Sequence, residues 1–198
     1  MTVMRMALVL WIVFVATACG STMPSKFYTL DSTASPEGAP SATYSVAVGP
    51  VTIPSAVARP QFVVQVAPNR VAIDEFNRWA APLDESIARV VAGDLAALLG
   101  APRVARSPLA NFEPDYRVSL DVQRFESDPG HGVLIEAVWI VRASASGKTR
   151  SGRTIARESV PDSGFETLAS AHSRALAQVS RDIASAIRSE AGAAEKTP

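Results

Sequence analysis

Cys19 is the only cysteine in the chain, and it stands directly after Ala16-Thr17-Ala18. A single thiol excludes a disulfide within the chain, and in an exported protein an odd cysteine needs a separate use. The residues before it supply one. Met1 to Met6 carry one positive charge, Arg5, and Ala7 to Val15 form an apolar run. A charged start, an apolar middle and small residues at the exit are the three parts of a cleavable export signal. The run is too short to cross a bilayer as a helix, which takes roughly 20 apolar residues. Small residues let the chain enter a peptidase cleft, and the thiol then accepts a diacylglyceryl group. The segment therefore reads as a lipobox cut between Ala18 and Cys19, with Ala16 where leucine is usual. One acyl chain holds a protein only marginally, and each buried methylene adds about 0.8 kcal/mol. Diacylglyceryl and N-acyl groups together on Cys19 make the attachment effectively permanent. Gly20 follows the cysteine where an Asp would retain a lipoprotein at the inner membrane. That sorting rule points to the outer membrane, with the domain facing the periplasm.

Other candidates for chemistry are weaker. Ser146-Gly147-Lys148-Thr149 ends like a phosphate-binding loop, but Arg142 stands where the first glycine of that pattern is needed. The segment also joins two strand-like stretches, whereas a phosphate loop leads from strand into helix. No nucleotide is expected. The two histidines, His131 between glycines in a turn and His172 on a helical stripe, share no metal-ligand spacing with other donors. They read as a surface and a packing histidine, and no metal or other cofactor is expected. The acidic pairs Asp74-Glu75 and Asp84-Glu85 are adjacent, so their side chains diverge and read as solvated surface. No nucleophile-elbow pattern is present, and the chain is not expected to be an enzyme. Arg59, Arg78 and Trp79 are the candidates for partner contacts, because Arg and Trp are favoured anchors in interfaces. A Trp ahead of a helix also serves to staple the chain onto a core. If these residues are contacts only, exchanging Arg78 and Trp79 for Ala leaves stability nearly unchanged.

The elements that must position these residues follow from periodicity. Lys26 to Leu30 suits a first strand, and Asp31 to Ala42, rich in Ser, Pro, Ala and Gly, suits a flexible link. Tyr44–Ile53, Gln61–Val66 and Arg70–Phe76 are strand-like, with Gly49-Pro50 at a bulge and Pro68-Asn69 at a turn. From Pro82 to Leu99 the apolar residues fall at spacings of four, three and one, a helical stripe. Pro82 fits its first turn and Gly100 its end. Asp115–Gln123 alternates as a half-buried strand, Val133–Ala143 is apolar on nearly both faces, and Thr149–Val160 returns as a third strand. Short connections make these three an antiparallel meander. Ser163 with Glu166 three residues on suggests a capping box, opening a helix with Phe165, Leu168, His172, Leu176, Val179, Ile183 and Ile187 on its buried face.

The expected architecture is α/β: one mixed sheet of about six strands packed with two long helices. The expected divisions are a signal peptide at 1–18, a lipidated spacer, first strand and link at 19–43, one domain at 44–188, and a disordered tail at 189–198. Hydrophobic residues make up 47% and charged residues 19%, enough for a core without disulfides. The formal net charge of +0 gives no basic excess of the kind nucleic acid binding shows.

An ordered set of motifs carries a family likeness: Cys19, then Phe27-Tyr28-Thr29-Leu30, Val48-Gly49-Pro50-Val51-Thr52-Ile53-Pro54, Arg59-Pro60-Gln61-Phe62-Val63, and Arg78-Trp79-Ala80-Ala81-Pro82-Leu83. In this the chain resembles the PqiC/YmbA group of ABC-type transport auxiliary lipoproteins. The resemblance implies a fold like the N-terminal domain of TolB. It also implies a non-enzymatic role beside MCE-domain proteins that carry lipid between the two membranes, in support of envelope integrity. Two other readings stand beside it. A lipid-anchored protein could itself carry a small apolar ligand, which requires a sizeable apolar cavity. A lipid-anchored hydrolase requires a convergent catalytic cluster.

Overall fold

Alternation of apolar and polar residues builds the larger of two sheets. A computed structural model describes residues 23–36, 38 and 41–194. The expected signal, the Ala18–Cys19 junction and the last four residues lie outside the described residues. The expected meander is present as β6 (Tyr116–Asp128), β7 (Gly132–Ala143) and β8 (Thr149–Ser159), antiparallel throughout. Val118, Leu120 and Val122 of β6 point to the same face as Val141, Trp139 and Ala137 of β7, and all are buried. Trp139 lies so close over Gly152 of β8 that a Cβ there would sit 2.2 Å from the indole, so this pairing admits only glycine.

Two helices cover that face. Helix α1 spans Leu83–Leu99 and buries the expected stripe. Pro82 stands just before it, and Gly100 ends it in the left-handed conformation (φ 58°), which glycine adopts without steric cost. Helix α2 spans Phe165–Ala194, with Leu168, His172, Leu176, Val179, Ile183 and Ile187 fully buried. Asp162, not Ser163, caps its entry: the carboxylate accepts from the Gly164 amide (2.7 Å) and the Thr167 hydroxyl (2.7 Å). The tail expected from Ser189 is helical through Ala194. Glu190 lies 3.9 Å from Arg150, and Ala191 packs on the core.

Where a single sheet of about six strands was expected, the described residues form two sheets with eight strands. Five strands run β5-β2-β6-β7-β8, where β2 is Val46–Thr52 and β5 is Val104–Arg106. Strand β2 lies parallel to both neighbours, with its register shifting between Val48 and Val51, at Gly49-Pro50. A smaller sheet runs β1-β4-β3, with β1 at Lys26–Tyr28, β3 at Gln61–Ala67 and β4 at Arg70–Trp79. Strands β3 and β4 are an antiparallel hairpin, and β1 is parallel to β4. The expected first strand is present as β1, and the strand that was not expected, β5, is three residues long and pairs with a distant segment, so no local period announces it.

The first residues of the expected flexible link, Asp31 to Ala34, are pinned to the two helices. Leu30 is fully buried, and its carbonyl accepts from Arg89 Nη2 at 2.5 Å. Buried Asp94 of α1 accepts four hydrogen bonds: from the Ser32 hydroxyl (2.7 Å), the Thr33 and Ala34 amides (3.0 Å each) and the Ser180 hydroxyl of α2 (3.1 Å). One carboxylate thus ties the chain leading from the N-terminus to both helices. Asp94→Ala is expected to lower unfolding stability by about 3 kcal/mol, because buried donors lose their acceptor. It should also open residues 31–36 to limited proteolysis. Urea titration and digestion patterns check this; an unchanged midpoint would refute the pinning role.

Candidate functional site

The motifs that are scattered in sequence meet around one groove. It is lined by Phe27, Ile53, Ala58, Arg59, Pro60, the run Trp79–Leu83, and Asp84, and encloses about 590 Å³. Three local features build it. Residues 54–58 turn tightly, with the Val57 amide donating to Pro54 O at 3.0 Å, and present Ala58, Arg59 and Pro60 to solvent. Next, the end of β4 is gripped from both sides: the Trp79 amide donates to Pro60 O (2.6 Å) and the Ala80 amide to Tyr28 O (2.9 Å). Last, α1 starts at Leu83, so Pro82 stands just before it and the acidic Asp84 in its first turn, where negative charge suits the helix dipole. The result is an open apolar trough with Arg59 and Asp84 supplying charge.

The three candidate contacts part company here. Arg59 is exposed in the groove wall. Trp79 is 6% exposed; its indole stacks on Phe62 with centroids 4.1 Å apart and meets Phe125 and His172 edge-on. It is a core residue whose edge also lines the groove. Arg78 lies outside the lining and turns back along its own strand, Nε donating to Glu75 O at 2.8 Å. Sequence reasoning passed over Phe27 as a site residue. Its signal was a large aromatic in a strand, and it is 64% exposed.

Beneath the groove lies an aromatic cluster that joins both sheets to α2. Tyr28, Phe62, Trp79, Phe125, Phe165 and His172 pack in successive contacts. Asp74 braces the bulge of β4 opposite Gln61 and Phe62 of β3, accepting from the Phe76 and Asn77 amides and the Asn77 side chain. Partial burial pushes its pKa up, but these bonds outweigh that and hold it below the usual carboxylate value. Asp74 is therefore a brace, where sequence suggested simple solvated surface.

His172 is fully buried, stacked on Phe125 at 3.9 Å, and shares a 2.8 Å hydrogen bond with Ser127 through Nε2. Burial lowers its pKa to about 3, which keeps the ring neutral. His131 sits in the exposed β6–β7 turn, 3.0 Å from Asp128. Ser146–Lys148 lies between β7 and β8 and Thr149 opens β8, as its strand-flanked position suggested. Among the described residues, no three His, Cys, Asp or Glu side chains cluster so as to hold a metal ion. No described helix is long and apolar enough to cross a membrane.

Comparison with known proteins agrees with this arrangement. The model of the ABC-type transport auxiliary lipoprotein component matches residues 28–184. No curated protein matches. The fold is similar to that of a Xanthomonas campestris protein of family DUF330, at TM-score 0.68 and 21% identity over 80% of this chain and 92% of that one. It is similar again to a second, uncharacterized protein, at TM-score 0.67 and 21% identity over 83% and 99%. The family is one of transport auxiliary lipoproteins and not of enzymes. The match covers the five-stranded sheet, β3, β4, the groove apart from Phe27 and most of α2, and the chain belongs to the PqiC/YmbA-type family of ABC-type transport auxiliary lipoproteins.

Proposed function

We infer that the protein is the lipid-anchored accessory subunit of an MCE-type, PqiABC-like lipid transport system. In this reading Cys19 carries diacylglyceryl and N-acyl groups and holds the domain on the periplasmic face of the outer membrane. The groove receives the MCE-domain protein, and the complex supports envelope integrity by completing a path for lipid between the membranes. The observation that carries the reading is the groove itself: Arg59-Pro60 and Trp79–Leu83, motifs of the family, form a single apolar wall with Phe27. Tethering both partners near one membrane raises their effective concentration, so a groove of this modest size suffices.

The test places a photo-crosslinking residue at Ala58 in the lipidated full chain, co-expressed with an MCE-domain partner. A crosslink to that partner is expected, together with loss of membrane sedimentation in Cys19→Ser without loss of fold. A chain that still sediments with membranes after Cys19→Ser, or an Ala58 crosslink to other proteins only, would count against it. The volume of about 590 Å³ also lies in the range of small-molecule sites. It favours, as a second reading, a protein that itself carries an apolar ligand there. Mass spectrometry of lipid retained by the purified chain separates the two.

A further inference from the structure

The tip of the β3–β4 hairpin is apolar on both faces, and among the described residues nothing covers it. Val66 is 47% exposed, Val71 52% and Ile73 44%, and Ala67, Pro68 and Ala72 complete the stretch around Asn69 and Arg70. Val71 lies opposite Gln65 and Ile73 opposite Val63, on one face of the ladder, while Val66 falls on the other. Isolated exposed apolar residues are ordinary, but a contiguous group marks a surface that something covers. The turn's polar groups are also provided for. Gln65 Nε2 donates to the carbonyls of Ala67 (2.7 Å) and Pro68 (3.1 Å). Satisfying these acceptors within the chain removes a cost the tip would meet on leaving water.

The parallel pairing of β1 with β4 says what lies beyond the tip. Lys26 is in register with Asn77, and both strands run the same way. The chain therefore enters β1 from the side on which the hairpin tip lies. Cys19 precedes Lys26 by seven residues, and Arg70 precedes Asn77 by seven. Seven residues reach at most about 25 Å, and a strand of seven residues extends about 23 Å. A hairpin as long as its leash reaches the surface to which the leash is tied when the domain stands along that direction.

We propose that the β3–β4 tip, Val66–Ile73, is a membrane-contact element that enters the interfacial layer of the bilayer holding Cys19. Arg70 faces the headgroup phosphates and Val66, Val71 and Ile73 face the acyl chains. The proposal rests on the lipidation of Cys19. It also orients the domain: Trp79 and the groove lie nine residues further along β4 than Arg70, about 30 Å from the tip, and so face away from the membrane toward a partner.

The test uses the lipidated full chain in vesicles of phosphatidylethanolamine and phosphatidylglycerol. Acylation occupies the sole native thiol, so Val71→Cys and, separately, Ala58→Cys accept a bimane fluorophore at one site each. Brominated lipids should quench the label at residue 71 at least twofold and leave the label at 58 unquenched, while aqueous iodide should do the reverse. Iodide access at 71 equal to that at 58, with the protein still on the vesicles, would overturn the proposal and leave the anchor standing. Shielding of 71 that appears only when a partner protein is added would overturn it in favour of a protein interface. An intact mass showing unmodified Cys19 would overturn the anchor, and the depth match with it.

Discussion

Between pH 7.5 and pH 5.0 the protein is expected to lose about 2 kcal/mol of stability through His172 alone. The ring is fully buried on α2, against Phe125 of β6, Trp79 of β4 and the Ser127 hydroxyl. None of these neighbours carries a charge to stabilise an imidazolium, and burial lowers the pKa from 6.5 to about 3. Below pH 6.5 the unfolded chain takes up a proton that the folded chain refuses. The contribution is therefore fully present above pH 6.5 and declines by about 1.4 kcal/mol per pH unit until the folded value near 3 is reached. Urea titrations at several pH values measure the slope. His172→Leu should flatten it between pH 6.5 and 5.0, above the range where carboxylates contribute most. A variant with the same slope as the parent would show that other groups govern acid stability.

Trp79→Ala is expected to lower stability by about 3–5 kcal/mol, the usual cost of emptying a large aromatic site. The indole fills space between Phe62, Phe125 and His172 and so links the small sheet to the large one. Arg59→Glu, by contrast, changes an exposed side chain in the groove wall and should leave the melting temperature within a degree or two. It should nevertheless weaken crosslinking of the groove to its partner. Thermal unfolding and Ala58 crosslinking on the two variants separate the roles. A Trp79→Ala protein of unchanged stability would place Trp79 among the contacts and outside the core. Arg78→Ala is the milder control, because its guanidinium is held mainly by Glu75 of the same strand.

The elements whose signal is local were legible along the chain. The stripe Leu83, Ile87, Val90, Val91, Leu95 specified α1, and Gly100 marked its end. The alternation Tyr116, Val118, Leu120, Val122 specified β6, and the doubly apolar Val133–Ala143 specified a strand with neighbours on both sides. These follow from the periods of helix and strand, which need no distant partner to be read. The family likeness rested instead on the residues of the ordered motifs, as a resemblance and not as a period.

Tertiary structure alone decided how those elements share sheets and which side chains meet. β1 pairs with a strand some fifty residues on, and β5 with one some sixty residues back, each through only three residues. Asp94 reads in sequence as a polar interruption of a helical stripe. Only packing shows that it gathers Ser32, Thr33, Ala34 and Ser180. Arg78 and Trp79 are adjacent, and the sequence offers both as candidate contacts, with a core staple as the other reading of Trp79. The pleat sends neighbours to opposite faces of β4, so one lies on the surface and the other in the core. The groove is likewise invisible along the chain, because its wall is assembled from a strand edge, a turn and a helix start that meet only when both sheets close on the aromatic cluster.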